Sequence, residues 1–199
     1  MKIESLTVGQ LQTNCYLVIE EENWRCFIVD PGDEANFISE KVLHNNLSPQ
    51  FIIATHGHFD HVLAAYELQL AFEIPFLVHP QDKKLLGKAV DSACRWLDWK
   101  VVTLPPQVDK EIKEGDVLEI GEQKWEILAT PGHTPGGITV FNKREKIAFV
   151  GDTIFRRGVG RTDFQYSSSQ QLQKSIKKIR TELKGYTAYP GHGDSFVIE

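Results

Sequence analysis

The chain lacks what would direct it to a membrane, a disulfide framework or a nucleic acid. No apolar stretch among its 199 residues approaches the roughly 18 to 20 that a membrane-spanning helix needs. The start, Met1-Lys2-Ile3-Glu4-Ser5, does not run from basic to hydrophobic to small residues as a secretory signal does. Cysteine is scarce: Cys15, Cys26 and Cys94 are an odd number at no metal-like spacing, and the first two lie in strand-like runs. Reduced, buried thiols are therefore expected in place of bridges. The net charge of −5, with both signs interspersed, offers no broad basic surface for a nucleic acid or an anionic membrane. No short-period repeat or low-complexity segment appears. These absences point to a soluble, cytoplasmic protein. A hydrophobic content of 41% over this length predicts one domain, residues 1–199, with a real core.

Histidine, by contrast, is concentrated. Thr55-His56-Gly57-His58-Phe59-Asp60-His61 places three histidines and an aspartate in seven positions, directly after the apolar run Phe51-Ile52-Ile53-Ala54. The run has strand length and β-branched content and the residues after Asp60 are helix-like, so the cluster sits on a strand-to-helix turn. Neutral imidazole and carboxylate are the ligands that zinc, iron and manganese accept. One turn cannot close a complete site, because its backbone directions diverge. Three later turns supply more: Thr130-Pro131-Gly132-His133-Thr134-Pro135-Gly136, then Gly151-Asp152-Thr153, then Pro190-Gly191-His192-Gly193. Each comes after a strand-like run and each contains glycine, which lets the backbone turn sharply. The pattern predicts a metal site along one rim of a sheet.

The rest of the chain fits such a sheet. Lys2 to Val8, Asn14 to Ile19 and Arg25 to Val29 read as strands of an antiparallel opening sheet. Asp33 is placed to cap a helix from Glu34 to about His44. Val62 to Phe72 is almost wholly apolar at helical length and predicts a buried helix, and Ile74 to Val78 a short strand. His79 and His44 read as structural and surface residues. Residues 81–109, with Arg95, Trp96 and Trp99, have weak periodicity and read as a partly helical lid or plain surface packing. Val117 to Ile120, Lys124 to Ala129, Ile138 to Phe141, Lys146 to Val150 and Thr187 to Tyr189 read as strands. Ser168-Ser169-Gln170-Gln171 reads as a capping box ahead of the stripe Leu172, Ile176, Ile179, Leu183. Each half has strands first and a helix after, which predicts two packed sheets flanked by helices.

These turns, with Asn14-Cys15-Tyr16, Val29-Asp30-Pro31-Gly32 and Gly151-Asp152-Thr153-Ile154-Phe155 through Gly160-Arg161-Thr162-Asp163, resemble the metallo-β-lactamase-fold hydrolases. The likeness is greatest to the short bacterial glyoxalase II-like, or hydroxyacylglutathione hydrolase-like, branch. It implies an α+β four-layer αββα sandwich and two divalent metal ions, zinc, iron or manganese. His56, His58 and His133 would hold the first ion and Asp60, His61 and His192 the second, with Asp152 bridging them. Asp30 would fix the tautomer and orientation of a ligand histidine, or simply form the turn. Two such ions, roughly 3.5–4 Å apart, supply hydroxide at neutral pH, which Asp60 would orient. The implied substrate is a small thioester, for instance a glutathione conjugate, since a thiol with a pKa near 8.5 leaves without a dedicated acid. Arg161 is the candidate to meet a substrate carboxylate, although Asp163 stands near enough in sequence to pair with it.

The chain runs seven residues past His192, without the helical glutathione-binding domain of longer members, so thioester hydrolysis is better supported than glutathione specificity. A rival within the superfamily is a persulfide dioxygenase, which also carries Gly-Arg-Thr-Asp-Phe-Gln, here Gly160 to Gln165. It would hold one iron through His56, His133 and Asp152. A promiscuous metallo-hydrolase with weak β-lactamase or nuclease activity is a further alternative.

Overall fold

Alternation along the strands decides the layers. In β2 (Thr13–Glu20) every residue is buried, which a strand shows only when both of its faces are covered. Cys15, Leu17 and Ile19 enter one core cluster, and Tyr16 and Val18 enter another. The neighbouring strands β3 (Arg25–Val29) and β4 (Ser48–Ile53) divide in the same way: Ile28 and Ile52 on one side, Phe27, Val29 and Ile53 on the other. With β1 (Lys2–Val8), β5 (Phe76–Val78) and β6 (Val108–Glu111) they form a six-stranded sheet in chain order, antiparallel over the first three strands and parallel from β3 to β6. The computed structural model describes residues 1–98 and 103–199, so Trp99 lies outside the described residues.

The second sheet also has six strands. In spatial order they are β14 (Phe196–Val197), β13 (Thr187–Pro190), β10 (Ile147–Gly151), β9 (Ile138–Asn142), β8 (Gln123–Ala129) and β7 (Val117–Ile120). Its inner face sends Trp125, Ile127, Val140 and Phe149 against the first sheet. There Phe27 meets Trp125 edge-on, with ring centroids 5.1 Å apart. Its outer face packs Leu128, Phe141, Ala148 and Val150 on α5 (Ser169–Glu182) through Ile179. The outer face of the first sheet is covered by α1 (Ala35–His44), α2 (Ala65–Phe72) and α4 (Ala89–Leu97). The result is the four-layer αββα sandwich, an α+β metallo-β-lactamase fold. A small hairpin, β11 (Ile154–Phe155) with β12 (Gly158–Val159), projects after β10.

Two helices differ from the sequence reading. The second begins at Ala65 because Phe59–His61 is wound as a 3-10 turn. It is a covering helix and not a buried one: only Ala65 and Leu68 are buried, and Leu70 is 63% exposed. The first helix starts after Glu34, whose φ is 56° and whose side chain makes no cap; Asp33 Oδ1 accepts from the Glu34 N–H instead, at 2.7 Å. At α5 the expected cap is present: Ser168 Oγ accepts from the Gln171 N–H at 3.3 Å.

Candidate metal centre

The four ligand-type turns converge at one rim of the sandwich. His56 and His58 leave the end of β4, and the 3-10 turn brings Asp60 and His61 round to the same side. His133 follows β8, Asp152 follows β10 and His192 follows β13. Asn14 and Tyr16 of β2 tie the last of these loops to the opposite sheet. Asn14 Nδ2 donates to Pro190 O and Gly193 O at 3.1 and 2.8 Å, and the Tyr16 hydroxyl donates to Pro190 O at 2.6 Å. Gly191 must be glycine, because a Cβ there would meet His61 Cε1 at 2.6 Å and press on Asp152 Oδ1.

The side-chain atoms fall into two groups that share an aspartate. His58 Nδ1 lies 3.2 Å from His56 Nε2 and 2.9 Å from His133 Nε2, and Asp152 Oδ2 lies 3.6 Å from His133 Nε2. Asp60 Oδ2 lies 3.6 Å from His61 Nε2 and 3.4 Å from His192 Nε2. Asp152 reaches this second group too, Oδ1 being 3.6 Å from His61 Nε2 and Oδ2 3.6 Å from His192 Nε2. Tetrahedral ligation at about 2.0–2.1 Å places donors about 3.3–3.4 Å apart, so both groups are spaced for an ion.

Hydrogen bonds made by the opposite ring nitrogens fix which atoms are bare. Thr55 Oγ1 donates to Asp30 Oδ2 at 2.7 Å and so accepts from His56 Nδ1–H at 3.1 Å. His133 Nδ1–H donates to Arg161 O at 2.8 Å, and His61 Nδ1–H to Asp30 Oδ2 at 3.0 Å. His192 Nδ1–H points at Gln12 O, 3.4 Å away, and His58 Nε2 shares a 2.8 Å hydrogen bond with the Tyr166 hydroxyl, in which either can donate. The remaining nitrogens of His56, His61, His133 and His192 then present lone pairs to the clusters. His58 Nδ1 lies 2.9 and 3.2 Å from two of these lone pairs, and without a cation a single N–H could satisfy only one of them. His61 Nε2 and Asp152 Oδ1 are, moreover, buried without a hydrogen-bond partner, which is costly for a polar atom that nothing coordinates. The donor set fits divalent metal.

Electrostatics agree with that fit. Burial, reinforced by the neighbouring histidines, holds His56 well below its ordinary pKa and takes His58 down to about 3, so both rings stay neutral and able to ligate. Burial disfavours charge on His61 too, but Asp60, Asp152 and Asp30 outweigh it and push the ring up to about 10. Asp60 is itself held below the usual carboxylate range: burial opposes this, and His61 and His192 overcome it. Positive charge is in demand at His61 Nε2.

Asp30, buried in the left-handed region at φ 51°, accepts from the Thr55 N–H at 2.6 Å as well as from Thr55 Oγ1 and His61. A third potential cluster, Asp30 with His56 and His61, is therefore a hydrogen-bonded support whose oxygens are already occupied. Asp82 was not singled out by its sequence context. It is fully buried and accepts from the Gly57 N–H at 2.8 Å, Thr134 Oγ1 at 2.7 Å and the Gly136 N–H at 2.6 Å, binding the first ligand turn to the second. Tyr166 was missed as well. Both act over long sequence separations, where a local pattern carries no signal.

His79 and His44 take no part. His79 Nδ1 accepts from the Gln81 N–H at 3.4 Å, capping a 3-10 turn, and His44 ends α1. His79→Ala is expected to leave metal content and turnover within about twofold, the scale of a weak surface cap; elemental analysis showing a lost ion would overturn its exclusion. Arg161 lines the cavity above the clusters, but its guanidinium pairs with both oxygens of Asp163, at 2.7 and 2.5 Å.

The cavity has a volume of about 530 Å³, and His58, Asp60, His133, Asp152 and His192 all line it. No helix among the described residues is long and apolar enough to cross a membrane.

The family described as the metallo-beta-lactamase superfamily matches residues 8–192. The probable metallo-hydrolase YqgX of Bacillus subtilis is 34% identical over 97% of this chain and 90% of its own. The hydroxyacylglutathione hydrolase GloC of Haemophilus influenzae is 33% identical over 92% of this chain and 84% of its own. Among solved structures, the BLEG-1 B3 metallo-beta-lactamase superposes with a TM-score of 0.91 at 28% identity, over 99% of this chain and 94% of that one. TTHA1623 in a di-iron-bound form gives 0.88 at 31% identity, over 98% and 94%.

Proposed function

The chain belongs to the metallo-beta-lactamase superfamily, and from that premise we propose that it is a binuclear metal-dependent hydrolase of thioesters such as S-lactoylglutathione. The observation that carries the reading is the second donor group. Asp60, His61 and His192 are spaced for an ion, and buried His61 is held from behind by Asp30 at 3.0 Å, which a site for one iron does not require. The likeness to a hydroxyacylglutathione hydrolase supports the substrate class.

When bound, two divalent ions would lower the pKa of a water held between them and polarise the scissile carbonyl. The remaining work falls to the chain. His56, His58 and His133 on one side, Asp60, His61 and His192 on the other, and Asp152 between them would hold the ions, zinc, iron or manganese. Asp30 keeps the His61 proton on Nδ1, and the Thr55 hydroxyl does the same for His56. Asp60 lines the cavity and orients the attacking water. Asp82 fixes the angle between the first two turns. A thiol with a pKa near 8.5 leaves as thiolate without a proton donor, so the site needs no general acid. An amide nitrogen does need one, and a missing general acid costs on the order of 10²–10⁴ in rate. Arg161 would contact a substrate carboxylate only if it loosened its pairing with Asp163.

Metal-replete protein is expected to hydrolyse S-lactoylglutathione without a redox cofactor, and lactams roughly a hundredfold or more slower. The discriminating arm supplies glutathione persulfide in an oxygen electrode. The segment Gly160-Arg161-Thr162-Asp163-Phe164-Gln165 is what the dioxygenase alternative rests on. Oxygen uptake there, together with no thioester turnover, would replace hydrolysis by dioxygenation.

A further inference from the structure

One wall of the cavity is built from groups that the hydrolysis does not use. Leu85, Ala89 and Trp96, from the segment spanning α3 (Lys83–Leu86) and α4, face the donor clusters together with Phe164 and Leu11. Trp96 is 59% exposed and Leu11 43% exposed, more apolar surface than an unused cleft beside a polar site would keep. Phe164 is half-buried and lies edge-on to the rings of His58 and His133, its centroid 5.1 and 6.1 Å from theirs. The apolar wall therefore reaches to within a ring's width of the reacting centre.

The Arg161 guanidinium lies 4.6 Å from the centroid of Phe164 and 5.5 Å from that of Trp96 while Asp163 neutralises it. At this corner it acts as a spacer holding the two rings in place. Besides Arg161, the cations exposed at the cavity among the described residues are Lys84 and Lys88, which precede the apolar turn of α4.

A thioester bound with its carbonyl at the clusters extends two arms. Soluble thiol carriers are peptide-like or nucleotide-like and carry acids, so the arm that an apolar wall can desolvate at no cost is the acyl arm. We propose that the Leu85–Ala89–Trp96–Phe164 wall is an acyl subsite that selects apolar, medium-length or aromatic acyl groups over a small hydroxylated one such as lactoyl. The inference rests on the thioester reading and names the acyl group for it. A lactoyl hydroxyl against Leu85, Ala89 and Phe164 would lose its water and gain no hydrogen bond from them, the polar lining at Gln81 and Ser92 lying outside those side chains. Each buried methylene, by contrast, gains enough for a roughly fourfold change in affinity.

The test has two independent readouts. In the first, acetyl, butanoyl, hexanoyl and lactoyl thioesters of glutathione are compared. The ratio kcat/KM is expected to rise about fourfold per methylene, with lactoyl below butanoyl. Trp96→Ala, a change at an exposed position, should cut the hexanoyl-to-acetyl ratio at least threefold. Ser92→Trp, which fills the cavity from α4, should abolish it. In the second, calorimetry measures the Kd of S-methyl-, S-butyl- and S-hexylglutathione, which cannot be hydrolysed. Affinity should increase along that series and the increase should shrink in Trp96→Ala. Turnover with a flat or lactoyl-favouring profile, or Kd values that do not depend on chain length, would overturn the subsite and leave hydrolysis standing. A graded Kd with no turnover of any thioester would overturn hydrolysis and leave the subsite.

Discussion

Asp152→Ala is expected to abolish turnover and to lower metal content from close to two ions per chain to one or none. Among the described residues the carboxylate reaches both donor sets: Oδ2 is 3.6 Å from His133 Nε2 and from His192 Nε2, and Oδ1 is 3.6 Å from His61 Nε2. Removing it deletes a donor from each set at once and leaves a gap between them. Loss of a supporting hydrogen-bond partner typically costs about 10–100-fold in metal affinity, and deletion of a shared donor must cost more. Buried Oδ1 has no hydrogen-bond partner, so the substitution removes no hydrogen bond there, and the metal-stripped protein should still melt in one transition. Elemental analysis, turnover and a melting curve in chelator separate the outcomes. A variant that retained two ions and measurable turnover would show that Asp152 is not shared. A variant that had simply unfolded would be recognised by its lost transition.

How much of this was legible in the sequence depended on the range over which each feature acts. The ligand turns were readable because each is a local event: an apolar strand ends, a glycine reverses the backbone, and a His or Asp comes within two or three residues. The cap at Ser168 and the stripe Leu172, Ile179 and Leu183 were readable for the same reason. What the local pattern misjudged was burial. The apolar run after His61 suggested an enclosed helix, but the 3-10 turn that delivers Asp60 and His61 takes up its start, and Leu70 faces solvent. The segment 81–109 was opaque because the buried positions of α4 are small residues, Ala89 and Ala93, while Val90 and Leu97 are only partly buried against the core and Trp96 lies at the cavity wall. A hydrophobic stripe centred on alanines is hard to see. Strands β6 and β14, four and two residues long, are too short to carry a period.

The supports behind the donors were invisible for a different reason. Tyr166 serves His58 across 108 positions, Asp82 serves Gly136 across 54, and Asn14 holds Gly193 across 179. Nothing near these residues in sequence announces their partners. Asn14 and Tyr16 belong to the motif Asn14-Cys15-Tyr16; their task, bracing the loop of His192, is set by the hydrogen bonds to Pro190 and Gly193.

Asp30→Asn is expected to lower the affinity of the Asp60–His61–His192 group for its ion by about 10–100-fold while leaving the His56–His58–His133 group less affected. The backbone tolerates the exchange: Asp30 sits at φ 51°, a region asparagine enters more readily than most residues. The new amide can still accept the Thr55 N–H through its oxygen, as Oδ1 does now at 2.6 Å. Its NH₂ would then replace Oδ2, which at present accepts from Thr55 Oγ1 at 2.7 Å and from His61 Nδ1–H at 3.0 Å. Donor would face donor at His61, whereas the Thr55 hydroxyl can turn to accept. The least costly escape for His61 is to move its proton to Nε2, which removes the lone pair that faces Asp60 and Asp152. Removing the Asp30 charge also takes away one of the three carboxylates that raise the His61 pKa, so the demand for a cation falls with it. Competition against a calibrated chelator should resolve one weakened ion and one nearly unchanged, and nitrogen-15 shifts of His61 should report the changed tautomer. A merely structural role would lower the melting temperature without moving those shifts. Two ions bound as tightly as in the parent chain would mean that Asp30 only shapes the turn.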